Sequence, residues 1–303
     1  MLERLAGNDA LKADLISALA TGRLAHSVLL VGEAGCGAGF AARCLAADYL
    51  YPDGGPHAEA VLRGEDAECI TLRGEGASGQ IPVAKIRDGR ESIQHSALSA
   101  DAAGRVLFIY GAQNLNGSSA NAMLKILEEP PEDVLFLLTA ESSATVLPTI
   151  RSRCAAYTVA PVEQNICVST LKKLCPELLP ALAAELAFLY EGHIGTCVAA
   201  VRDAAARERL DTAKKICTYA EKEDTYQVLA LLSAREKDRE GIAALLRQLK
   251  YLASGALRKP GFAGLSPARA ALLIEAADEA ERARKANGNP RLLLTVFGAR
   301  ISA

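Results

Sequence analysis

A five-stranded parallel α/β domain followed by an all-helical region is the architecture this sequence predicts, on three observations. Five short apolar runs are continuous rather than alternating, as strands buried on both faces read. They are VLLV (Val28 to Val31), CITL (Cys69 to Leu72), VLFIY (Val106 to Tyr110), VLFLLT (Val134 to Thr139) and AYTV (Ala156 to Val159). Helical patterns lie between them, and strands alternating with helices favour a parallel sheet. After about residue 160 the strand signals stop.

In chain order, the helical patterns of the first half run from Asn8 to Ala20, Ala41 to Leu50, Ile81 to Ile93 and Ser118 to Glu129. The last is the best delimited. Asn116, Ser118 and Ser119 offer N-caps, and Ala120, Met123, Leu124 and Leu127 recur at helical spacing. Pro130 and Pro131 stop it, since proline lacks the N–H and restricts the residue before it. PVEQNICVSTLKKLC then opens the helical region. Ile242, Leu245, Leu246, Leu249 and Ala253 form one apolar helix face. Ser266–Pro267 begins the next helix as N-cap and first residue, Asn287–Gly288 stops it, and Asn289–Pro290 begins the last.

A length of 303 residues suits two or three domains, and with 50% apolar residues each can bury a core. No apolar run is long enough for a membrane span, and the charged, amphipathic N-terminus lacks a signal-peptide centre, so a cytoplasmic protein is expected. Eight cysteines are present with four histidines. No two cysteines are separated by only two to four residues, which disfavours zinc, and a reducing compartment disfavours disulfides. They are expected to be small buried apolar residues. The net charge is −2 with no basic stripe. A protein that holds nucleic acid alone usually shows such a footprint, so protein partners are expected first.

VLLVGEAGCGAGFAARCLAADYL has the layout of a strand, a glycine loop and a helix. Against the phosphate-loop pattern G-x-x-x-x-G-K-[ST], Gly32 and Gly37 keep the frame, with Gly35 between them. Ala38 stands at the lysine position and Gly39 at the Ser/Thr position. The ammonium that reaches the β- and γ-phosphates and the hydroxyl that ligates Mg²⁺ are therefore missing. In RVLFIYGAQNLN, Tyr110 and Gly111 stand where acidic residues would hold Mg²⁺ and polarise water. Two independent elements are lost together, which predicts no nucleotide hydrolysis, no cofactor and no metal; the vestigial loop is Gly32, Gly35, Gly37, Ala38 and Gly39.

ANAMLKILEEPPEDVLFLLTAESSATVLPTIRSRC, Ala120 to Cys154, resembles the bacterial DNA polymerase III clamp-loader AAA+ family. A helix ending in L-E-E-P-P, a strand, and a loop into T-x-R-S-R-C carry the likeness. LAHSVLLVGEAG and the C-terminal NPRLLLTVFGARI extend it. The resemblance implies an AAA+ α/β domain over residues 1–160, a small helical lid over 161–206 and a helical oligomerisation collar over 207–303. Within the family, degenerate phosphate-loop residues beside an intact S-R-C mark the delta-prime branch, an ATP-incompetent stator. Arg153 is then the arginine finger acting in trans on a neighbour's γ-phosphate, with Ser152 and Cys154 positioning the turn and Arg151 a helix-end cation. The implied partners are the gamma/tau-like motor subunits and the delta subunit in a hetero-pentamer, the sliding clamp, and primer-template DNA through the assembled complex. Leu50 to Glu68 lacks the cysteines of the family's zinc module, and GHIGTCVAA lacks the sensor arginine of motor subunits. Thr139, at the position of a nucleotide sensor, is expected to be structural, and Arg87 and Arg90 to lie on a solvated helix face or near DNA. Two alternatives remain: a motor ATPase with unorthodox motifs, or an AAA+-like interaction protein outside replication.

Overall fold

The computed structural model describes residues 1–75, 79–94 and 97–302; Ala303, the last residue of the expected collar, lies outside them. The chain divides into two compact units. One comprises Met1–Thr170 with Glu191–Thr196, and the other Leu171–Tyr190 with Cys197–Ala303.

The first unit is built on β1 (Ser27–Val31), β2 (Cys69–Arg73), β3 (Arg105–Tyr110), β4 (Val134–Ala140) and β5 (Ala155–Thr158). They form one sheet in the order β2-β3-β4-β1-β5, every pairing parallel. The α/β class predicted from the apolar runs is the class observed. The runs are continuous because both faces of the central strands are covered. Val28 and Leu30 of β1, with Leu135 and Leu137 of β4, belong to one apolar cluster together with Ala41 and Leu45. Leu29, Phe136 and Leu138 belong to a second cluster with Ile86, Met123 and Leu127. Full burial fails at the two edges: β2 and β5 are only partly buried, since each lacks a neighbour on one side.

Helices α1 (Asp9–Ala20), α2 (Ala38–Leu50), α3 (Pro56–Arg63), α4 (Val83–Ile93), α5 (Gly117–Glu128), α6 (Pro148–Arg151) and α7 (Gln164–Leu174) surround this sheet or leave it. Asn116 caps α5 by accepting the Ser119 N–H at 2.9 Å. The helix stops at Glu128, two residues before the proline pair. Pro148 starts α6, and its Ile150 is fully buried.

The second unit holds α8 (Pro180–Leu189), α9 (Ile194–Arg202, whose first turn belongs to the first unit), α10 (Ala204–Glu221), α11 (Thr225–Ser233), α12 (Arg239–Arg258), α13 (Pro267–Lys285) and α14 (Pro290–Ile301). The α12 face carrying Ile242, Leu245, Leu246, Leu249 and Ala253 is buried. Ser266 and Asn289 cap α13 and α14 by accepting the N–H groups of Arg269 and Leu292. On α14, Leu293, Leu294, Phe297 and Ile301 are buried, whereas Leu292 and Val296 are exposed. None of the described helices is long and apolar enough to cross a membrane.

Candidate functional site

The glycine loop leaves the C-terminal end of β1, the end at which parallel sheets place ligands. Gly32 N–H donates to the Ala140 carbonyl at 3.0 Å, fixing the loop to β4. Gly35 and Gly37 have φ of +95° and +100°, conformations that L side chains rarely adopt. Gly37 is the N-cap of α2, so the helix begins at Ala38, three residues earlier than its apolar pattern predicts. The frame of a phosphate loop is present.

Its contents are not those of a nucleotide site. A Cβ on Gly39 would stand 3.2 Å from the Tyr110 ring, so the aromatic side chain fills the space beside the absent hydroxyl. Arg73 lies over that ring, 4.4 Å from its centroid. Residues 192–196 rest on the loop itself. Gly195 N–H donates to the Gly35 carbonyl at 2.8 Å, Thr196 Oγ1 donates to the Ala34 carbonyl at 3.4 Å, and His193 Nε2 lies 3.2 Å from Glu33 Oε2. A Cβ on Gly35 would fall 2.0 Å from Thr196 Oγ1. With no lysine, no hydroxyl and no carboxylate in place, the residues present do not fit Mg-nucleotide. Burial raises the Cys36 thiol to about 11, so it stays protonated at neutral pH. At the end of β4, Thr139 Oγ1 accepts the Gly111 N–H at 3.2 Å and ties β3 to β4.

Arg153 lies in the turn between α6 and β5. Ser152 N–H donates to the Pro148 carbonyl at 2.9 Å, Arg153 N–H to Ile150 at 3.1 Å, and Ser152 Oγ to Thr149 at 3.1 Å. The guanidinium donates through Nη1 to the Thr149 carbonyl at 3.0 Å and through Nη2 to Glu128 Oε1 at 2.5 Å. The Arg153 side chain is 36% exposed. Cys154 is half-buried, and burial lifts its thiol to about 12. Arg151 ends α6 and donates to the Ser143 carbonyl at 3.3 Å.

The sheet keeps the two features apart. Val28 of β1 pairs with Ala155 of β5. Gly32 follows Val28 by four residues, about 13 Å along the strand at about 3.3 Å per residue, and Arg153 lies in the turn that precedes Ala155, so the two features stand at opposite ends of the β1–β5 pair. No arginine side chain spans that distance, and Arg153 cannot serve the loop of its own chain.

Comparison with known proteins follows the same division. The profile of the family described as DNA polymerase III, delta subunit, matches residues 7–163, just over half of the chain. The chain belongs to this family. The matched stretch contains both the glycine loop and the Arg153 turn. Among relatives, the DNA polymerase III subunit delta' of Haemophilus influenzae is 38% identical over 111 residues, covering 35% of this chain and 33% of that protein. The same subunit of Escherichia coli is 28% identical over 196 residues, covering 65% and 56%. The chain thus spans about a third of the first relative and just over half of the second. A solved structure of a DNA polymerase III gamma subunit-related protein from Thermotoga maritima superposes with a TM-score of 0.54 at 16% identity, over 95% of this chain and 99% of that one. That likeness is one of fold.

Two features of the family domain were not foreseen in the sequence. Arg87 and Arg90 are joined by Lys125 of α5 along a groove of about 380 Å³ that Ser118 and Asn121 also line. Glu128, the first glutamate of L-E-E-P-P, is the ion-pair partner of Arg153. A cation one helix away and an anion 25 positions away leave no local pattern in the sequence.

Proposed function

We propose that this chain is the delta-prime subunit of a DNA polymerase III clamp loader, an ATP-incompetent stator that presents Arg153 to the nucleotide of a neighbouring motor subunit. One observation carries this reading. The loop that should bind phosphate lacks every functional side chain, while an arginine is held out at the opposite end of the sheet, beyond reach of that loop. A planar, permanently charged guanidinium suits a phosphoryl group bound by another chain. The partners in this reading are gamma/tau-like motor subunits, a delta subunit, the sliding clamp, and primer-template DNA through the assembled complex, in the cytoplasm. The chain itself hydrolyses no nucleotide.

In this reading residues 1–160 form the AAA+ domain, 161–206 the lid and 207–303 the collar through which the subunits join. Leu292 and Val296 on α14, 64% and 58% exposed, are the apolar residues the collar would bury on assembly. Deleting α14 would also strip Leu293, Leu294, Phe297 and Ile301 from the core of the second unit, so point changes test the assignment better. Each apolar side chain newly buried is worth about 1.5–3 kcal/mol. Leu292→Asp with Val296→Asp should weaken assembly with the motor and delta subunits by about 10²-fold or more, measured by size-exclusion chromatography and titration. Wild-type chain that fails to join that complex would refute the function, and unchanged assembly of the double variant would refute the collar surface alone.

A further inference from the structure

We infer that Glu128 is a positioning residue for Arg153, fixing the guanidinium in the orientation in which it meets a phosphoryl group held by an adjacent chain; this rests on the trans-acting role proposed above. Glu128 is the last residue of α5, where the helix dipole and the unpaired carbonyls disfavour a carboxylate. A residue chosen for helix stability there would be a cation. The carboxylate instead lies against Arg153 Nη2, while the Thr149 carbonyl accepts from Nη1. Bonds from two different nitrogens, Nη1 also reaching Ser152 Oγ at 3.5 Å, fix both the position and the plane of the fork. Among the described residues Nε keeps no hydrogen-bond partner, so one edge of the guanidinium stays available.

The supports of this pair are rigid. Pro130 and Pro131 fix where α5 ends, so Glu128 does not slide with fraying of the helix. Pro148 starts α6 and Ile150, fully buried, anchors it to the sheet. Glu128 reduces the net charge of the finger, and what it supplies in return is orientation. Misplacing a reacting group by about 1 Å costs up to about 10²-fold in rate, whereas an exposed ion pair contributes little to folding.

The test uses the reconstituted complex and reads the phase of DNA-stimulated ATP hydrolysis that Arg153→Ala removes. Glu128→Ala should slow that phase about tenfold with the KM for ATP unchanged. Glu128→Gln, which keeps an acceptor oxygen, should slow it less. In the Arg153→Ala background, Glu128→Ala should add nothing. Thermal unfolding of both Glu128 variants should match wild type, which separates positioning from folding. If Arg153→Ala removes no phase, the trans-acting role itself fails. If it removes one and Glu128→Ala leaves that phase at full rate, accelerates it, or slows it equally in the Arg153→Ala background, Glu128 does not position the finger.

Discussion

The loop between β1 and α2 and the turn between α6 and β5 flank neighbouring strands of one sheet, yet they differ in what they carry. At the loop the backbone is intact and the side chains are gone: Ala38, Gly39, Tyr110 and Gly111 stand where charge and hydroxyl would be. At the turn the side chain is present and supported by Thr149 and Glu128. The loop has also been built over, by the Tyr110 ring and by residues 192–196. One sheet thus carries at one end a glycine loop whose backbone frame stands without the motif's charged and hydroxyl side chains, and at the other an arginine held by two neighbouring acceptors.

The largest expected effect belongs to the turn. Arg153→Ala should remove hydrolysis at the one neighbouring motor site by about 10³–10⁵-fold, read as loss of one phase of ATP turnover in the reconstituted complex. Unfolding free energy of the isolated chain should change by no more than about 0.5 kcal/mol, since the side chain is partly exposed and its ion pair is at the surface. Arg153→Lys should recover little, because lysine keeps the charge and loses the fork. Normal ATPase and clamp loading by the alanine variant would make Arg153 a surface cation and remove the contrast between the two regions.

The loop supplies the next effect, and it is a refusal. Titration calorimetry of the wild type with Mg-ATP should show no binding tighter than about 1 mM, about −4 kcal/mol. Ala38→Lys with Gly39→Ser restores the named side chains, yet the new hydroxyl would meet the Tyr110 ring and residues 192–196 would still lie on the loop. No micromolar site should appear. Micromolar binding by the double variant would mean that only two side chains separate this loop from a working one.

The difference between the regions also shows what a sequence discloses. The five strands were legible because burial on both faces leaves runs with no polar interruption, and the caps at Asn116, Ser266 and Asn289 because capping uses few residue types. Helix α3 was not: its eight residues bury only Ala58 and Val61, too few for a period. The losses at the loop were legible as departures from a spaced motif. The contact of Gly35 with Gly195 was not, since it joins residues 160 positions apart through backbone atoms that any sequence carries.

Gly35→Ala tests that contact and has a smaller expected effect. The new Cβ would overlap Thr196 Oγ1 in a backbone conformation at φ +95°. Strain of that kind costs about 1–3 kcal/mol, and a fall of about 2 kcal/mol in unfolding free energy by urea titration is expected. Thr196→Gly in the same chain should return part of it. An unchanged midpoint would mean that residues 192–196 do not hold the loop in solution, and the loop would then be open to ligands after all.

The smallest effect compares the two cysteines, Cys36 in the loop and Cys154 in the turn. Burial raises both thiols from 9.0, Cys36 to about 11 and Cys154 to about 12. The thiolate is the reactive form, so at pH 8 iodoacetamide should modify both Cys36 and Cys154 at least about 10²-fold more slowly than an unfolded thiol. Peptide mass spectrometry against time measures both rates. The same shifts set the sign of the alkaline response. Both groups ionise more easily in the unfolded chain, so the stability they contribute is complete below about pH 9 and is lost as pH rises toward 11 to 12. Labelling of either at the rate of an unfolded thiol, or stability that rises above pH 9, would show that the thiols are not held as buried neutral groups.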